Sequence, residues 1–151
     1  MSASQLYAED LKVGFTFEGE VKHLTAEMLT AFAGLTGDNH PIHYDKSYAA
    51  KTDFGRPIAH GLLLAALTAV GATTTSPRLT DSMVALISQH ADFLKPAFVD
   101  DRLRASYTVV SNSESSSGTK ARVEVKVTVL NQNEDAVLSG VHVYLLRCRP
   151  S

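Results

Sequence analysis

Two carboxylates and two imidazoles crowd into eight residues, Asp38-Asn39-His40-Pro41-Ile42-His43-Tyr44-Asp45. A carboxylate and an imidazole held on one rigid turn can position a water molecule and take its proton. The same residues also describe a solvated polar loop, so the stretch gains meaning only from its surroundings. Pro41 supplies part of them. On a continuous helix, side chains three or four positions apart meet, and those five apart do not. Pro41 cannot continue a helix and pushes His40 toward extended backbone, so the chain must turn between Asp38 and His43. A turn can bring these two side chains together.

Gly61 is the second position with chemical meaning. It follows Arg56-Pro57-Ile58-Ala59-His60 and opens an apolar run. The first N–H groups of a helix lack intrahelical partners and carry the positive end of its dipole. With no side chain, Gly61 lets a ligand approach that backbone, which would suit a thioester carbonyl becoming an enolate oxyanion. The glycine could equally serve only to let the helix enter the core tightly.

The elements around these residues follow from periodicity. Phe15, Phe17 and Val21 alternate with polar residues, which predicts a strand from Phe15 to Leu24. Thr25 is a good N-cap, Met28, Leu29, Phe32 and Leu35 form a helical stripe, and Gly37 stops the helix. Asp38 therefore opens the loop. A short surface helix follows from Asp45 to Ala50. Residues 61 to 72 are apolar on every face, which predicts a buried helix too short to span a membrane. Strands follow near 84 to 94, over Leu103 to Val109, over Ala121 to Val129 and from Ala136 to Arg147, read as a four-strand meander. The serine-rich stretch Ser111 to Gly118 is a hairpin tip. The pattern is α+β: an antiparallel sheet packed on one buried helix.

With 151 residues the chain suits one domain, 1–151, and 14 basic against 16 acidic side chains give no field to recruit nucleic acid or an anionic membrane. The opening Met1-Ser2-Ala3-Ser4-Gln5 lacks the basic and apolar regions of a signal peptide, and the lone Cys148 fits a free thiol in a reducing compartment. A cytoplasmic location is expected.

At this point the residues resemble a family. Phe32-Ala33-Gly34-Leu35-Thr36-Gly37-Asp38-Asn39-His40-Pro41-Ile42-His43, then Gly55-Arg56-Pro57-Ile58-Ala59-His60-Gly61-Leu62-Leu63, are similar to the MaoC-like dehydratases, the (R)-specific enoyl-CoA hydratases. Asp92-Phe93-Leu94-Lys95-Pro96 resembles that family's phenylalanine-lysine-proline strand end. The resemblance implies a hotdog fold, a curved antiparallel sheet wrapped around a long central helix beginning at Gly61. It implies a homodimer with acyl-CoA in a tunnel at the interface, and no cofactor or metal. It places the family's acid–base pair on Asp38 and His43 and its oxyanion-binding amide on Gly61. Water would add to C3 of a trans-2-enoyl thioester to give an (R)-3-hydroxyacyl-CoA.

One residue departs from the pattern. His40 stands where the family carries asparagine, so His40, with Asn39, is expected to tune the site or bind substrate. His60 is expected to support the turn before Gly61, while His23, His90 and His142 are expected to be ordinary sheet residues. Gln89 and His90 could border the tunnel. Arg102, Arg104, Arg122 and Lys126 lie on wet strand faces. A hotdog thioesterase and a non-catalytic acyl-CoA binding module remain as alternatives, although residues 61 to 72 hold no carboxylate of the kind many thioesterases use.

Overall fold

The computed structural model describes residues 4–151; Met1 to Ala3, part of the segment read above for a leader, lie outside the described residues. Along the chain come β1 (Thr16–Glu18), β2 (Lys22–His23), α1 (Ala26–Thr36), α2 (Lys46–Ala49), α3 (Gly61–Ala66), β3 (Met83–Phe93), β4 (Arg102–Glu114), β5 (Lys120–Leu130) and β6 (Ala136–Arg147). All strand pairings are antiparallel, in the order β1-β4-β5-β6-β3, with β2 also on β4. The valine alternation builds the centre of this sheet. Val123, Val125, Val127 and Val129 of β5 are buried beside Leu103, Tyr107 and Val109 of β4, and Leu63, Leu64 and Ala65 of α3 belong to the same apolar cluster. This is the sheet-around-helix arrangement of a hotdog fold.

Four expectations are corrected. The strand over Phe15 to Leu24 is broken: β1 stops at Glu18, Gly19 bridges to Thr73 while its N–H still bonds the Ala105 carbonyl, and Val21 is exposed rather than turned inward. Leu35 is likewise exposed, so the stripe of α1 ends at Phe32. The strands do not form a four-strand meander, because β3 pairs with β6 at the far edge. Residues 94 to 101 carry the chain back across, pinned by Ala59 N–H donating to the Ala97 carbonyl at 2.8 Å and by reciprocal bonds between Leu24 and the Asp100–Asp101 turn.

The fourth correction concerns the central helix. It is not long; α3 ends at Ala66, and a separate 3-10 turn covers Val70–Ala72. Thr68 stops it. Its hydroxyl donates to the Ala65 carbonyl at 2.5 Å, competing with the helical backbone, while Tyr107 Oη donates to the Thr68 carbonyl at 2.9 Å. Nor is the helix buried all round. Leu62 is 67 % exposed, and the neighbouring edge strand shows Leu86, Ile87 and Phe93 to solvent.

Candidate active site

Helix α1 delivers Asp38 as the sequence implies. Thr25 Oγ1 accepts from Met28 N–H at the N-terminus, and Gly37 closes the other end with a φ of 79°, a left-handed conformation that a side chain would strain. The next residues form one 3-10 turn, Pro41–His43, with Pro41 at its first position. His40 caps that turn, its Nδ1 accepting from Ile42 N–H at 3.2 Å. An asparagine side chain makes the same kind of bond at an N-cap, so the histidine takes over a structural task there. Its ring lies 6.4 Å from that of His43 and meets Tyr48 edge-on. Asn39 is exposed and makes no side-chain hydrogen bond.

The turn does bring Asp38 and His43 together, and it adds His60. One donor or acceptor atom from each of the three lies within 4.8 Å of the others. Nδ1 of His43 contacts the Ile58 carbonyl at 2.7 Å. A carbonyl can only accept, so Nδ1 carries the proton and Nε2 presents a lone pair. That is the tautomer a general base needs.

His60 is 1 % exposed, and its ring stacks on His43 at 3.8 Å between centroids. Its Nε2 lies 2.7 Å from Tyr44 Oη and 3.2 Å from the Asp38 carbonyl. Burial, followed by the nearness of His43, holds His60 below the ordinary histidine range, so it stays neutral near pH 7. Tyr44 Oη also reaches the carbonyls of Leu29 and Asp38, at 3.2 and 3.1 Å. Burial and the Asp38 charge push this phenol up.

These distances would also suit a metal, but the ring geometry does not. The two imidazole planes are only 28° from parallel, so their in-plane lone pairs run side by side instead of converging. Nδ1 of His43 and Nε2 of His60 are already engaged.

A cleft of about 730 Å³ opens beside the cluster, lined by His43, Tyr44, Lys46, Arg56, Phe98 and Val99. The Arg56 guanidinium sits 3.8 Å above the Phe98 ring, which fixes a cation at the mouth. Gly61, next to His60 in the chain, borders a separate hollow of about 340 Å³ with Phe93 and Pro96. A Cβ at Gly61 would stand 3.3 Å from the Phe93 ring, so tight packing on the phenylalanine-lysine-proline strand end is part of the reason for glycine here.

The remaining sequence candidates lie apart. His23 and His90 are surface residues, 3.2 and 3.1 Å from Asp100 and Asp92. His142 is no ordinary sheet residue: it is buried, bonded to Tyr144 Oη at 2.7 Å and near Thr68 Oγ1 and the Gln89 amide. Arg104 is held by Glu18 and Glu134. Reading the sequence missed Tyr44, Arg56 and the full part of His60. The signal for His60 was its place beside Gly61, inside an apolar flank where an idle imidazole is costly.

Comparison with known proteins agrees with the fold. The profile of the MaoC like domain matches residues 12–133. A 3-hydroxybutyryl-CoA dehydratase of Methylorubrum extorquens is 41% identical over 96 residues, 64% of this chain and 59% of that protein, so the match spans less than two thirds of the relative. An (R)-specific enoyl-CoA hydratase of Aeromonas caviae is 36% identical over 93 residues, 62% of this chain and 67% of its own. The solved structure of a MaoC-like dehydratase from Rhodospirillum rubrum superimposes with a TM-score of 0.85 at 27% identity, covering 97% of this chain and 99% of the other. With its fold and most of its length matched, the chain belongs to the MaoC-like domain family.

Proposed function

We propose that the chain is a hydro-lyase that adds water across the double bond of a trans-2-enoyl-CoA to give the (R)-3-hydroxyacyl-CoA, or removes it in the reverse direction. One observation carries this reading: Asp38, His43 and His60 meet within 4.8 Å across the turn at Pro41, with Nδ1 of His43 on the Ile58 carbonyl and Nε2 left to face a water molecule. One relative is named a 3-hydroxybutyryl-CoA dehydratase and the other an (R)-specific enoyl-CoA hydratase, the loss and the addition of water on a CoA thioester.

In the forward direction a water molecule sits between the Asp38 carboxylate and His43 Nε2. His43 takes a proton as the water oxygen bonds to C3. The π pair of the double bond moves to form an enolate, whose oxygen accepts from the Gly61 amide N–H. The proton then returns to C2, and the thioester carbonyl re-forms. His40 caps the turn that follows Asp38 and so fixes the loop that carries it, while the exposed Asn39 is left free to meet substrate. No cofactor enters this sequence. Lys46 and Arg56, at the mouth of the cleft, supply positive charge for the phosphates of coenzyme A.

A second copy of the chain belongs to this proposal. The edge strand β3 and the open side of α3 leave Leu62, Leu86, Ile87 and Phe93 uncovered beside the Gly61 hollow. Pairing β3 with its copy would cover them in a homodimer. A cytoplasmic setting belongs to the same proposal; among the described residues no helix is long and apolar enough to cross a membrane.

Crotonyl-CoA tests the reading. Its enone absorbance should fall on adding the purified chain, with no free thiol released. Thiol release would mean a thioesterase. Tight binding with neither signal would mean an acyl-CoA binding module.

A further inference from the structure

Beneath the water-activating pair lies a second tier that the proposed chemistry does not consume. Tyr44 Oη touches the Leu29 carbonyl, the Asp38 carbonyl and His60 Nε2 within 3.2 Å. His60 stacks under His43 on one side and meets Phe32 on the other, with ring centroids 4.8 Å apart. The segment carrying His60 also supplies the Ile58 carbonyl that orients His43. Both halves of the pair are therefore tied to one place, Asp38 by its backbone and His43 by its ring.

The protonation of His60 follows from these partners. The Asp38 carbonyl only accepts, so Nε2 of His60 is the N–H, and Nδ1 holds a lone pair. That Nδ1 is buried and has no partner. Protonating it would place an unpartnered N–H and a full charge in the core, against His43. A neutral ring is thus kept face to face with the imidazole that must become cationic during turnover. A cation over a neutral aromatic face is attracted, and two stacked cations repel.

We propose that Tyr44 and His60 act as one positioning pair for Asp38 and His43, with His60 serving as the neutral ring that supports the His43 imidazolium. This rests on the hydratase reading above. Neither residue touches the reacting atoms; both act through the pair.

Three single variants and one double variant decide it, each checked by circular dichroism and thermal melting. Tyr44→Phe keeps the ring and removes only the hydroxyl. His60→Phe keeps a flat ring under His43 and removes the nitrogens, whereas His60→Leu removes the stack as well. Tyr44→Phe and His60→Phe should each lower kcat roughly tenfold, because small misplacements of catalytic groups cost that much or more, with KM changed less than about twofold. His60→Leu should be slower still, so that phenylalanine rescues part of the loss. The double variant Tyr44→Phe/His60→Phe should be no slower than the slower single, as for residues sharing one function. Wild-type kcat in Tyr44→Phe would overturn the proposal even if His60→Leu fails to fold. So would equal rates for the phenylalanine and leucine variants at His60, or fully additive losses in the double. An inactive wild-type chain would instead overturn the hydratase reading itself, so the two failures are distinguishable.

Discussion

The imidazoles of His43 and His60 lie face to face, 3.8 Å apart at their centroids and 28° from parallel. They are separated by 17 positions in the sequence, and the contact exists because two backbone devices converge. The 3-10 turn at Pro41 swings His43 toward the core, and the extended segment before Gly61 is anchored by Ala59 N–H on the Ala97 carbonyl. The outer ring is open to the cleft, while the inner ring is sealed. That asymmetry sets an accessible ring against a sealed, neutral one.

Asp38→Asn and His43→Ala should each lower kcat by roughly 10²- to 10⁴-fold, the usual contribution of a positioned acid or base. Both residues lie outside the apolar core, so the melting temperature should change by only a few degrees. Steady-state kinetics on crotonyl-CoA together with a thermal melt checks this. Full activity in either variant would remove the proposed pair.

His40 offers a sharper distinction. Its role in the structure is to cap the Pro41 turn through Nδ1. His40→Asn restores a good capping side chain and should leave kcat within about twofold, whereas His40→Ala should cost about 1 kcal/mol of stability. Comparing the two by denaturant titration and rate measures it. A large change of rate or substrate range in His40→Asn would mean that His40 works on the substrate and not only on the loop.

Acid should destabilise the fold through its buried histidines. Burial holds both His60 and His142 below the ordinary value of 6.5, so each resists protonation in the folded chain and accepts it more readily when unfolded. Below about pH 6.5 the unfolded state therefore binds more protons, and stability falls with pH. Above that value the contribution is complete. Melting temperatures measured from about pH 7.5 down to pH 5 should decline, and a His142→Gln variant should show a shallower decline. An unchanged slope in that variant would refute the assignment.

The uncovered edge strand gives a further expectation. Ile87→Glu places a charge in the middle of an exposed apolar patch on β3, far from the Asp38–His43 turn in sequence. Size-exclusion chromatography with light scattering should show a dimer for the wild type and a single chain for the variant, with most activity lost. A wild-type chain that runs as a monomer and retains full turnover would contradict the proposed assembly.

Much of this was legible from the residues. The cap at Thr25, the stop at Gly37 and the turn at Pro41 are local instructions, and the structure follows each of them. The valine alternation of β5 likewise specified its buried face. Long-range features were harder to read. Nothing local says that β3 pairs with β6 instead of β4, because register across a sheet depends on the whole connection from Leu94 to Asp101. The break after α3 depends on Thr68, whose hydroxyl also meets His142 and whose carbonyl accepts from Tyr107, two residues drawn from distant strands. Tyr44 looked like one more residue of a polar loop. Its three partners come from α1, the Asp38 loop and the segment before α3, and only the fold brings them to one point.

Hydration of crotonyl-CoA in D2O tests the central claim most directly, with product analysed by chiral chromatography and mass spectrometry beside a thiol assay. The expected product is (R)-3-hydroxybutyryl-CoA carrying one deuterium on C2, formed by the wild type and nearly absent with Asp38→Asn. Free coenzyme A, no hydrated product, or an undiminished rate in Asp38→Asn would contradict it.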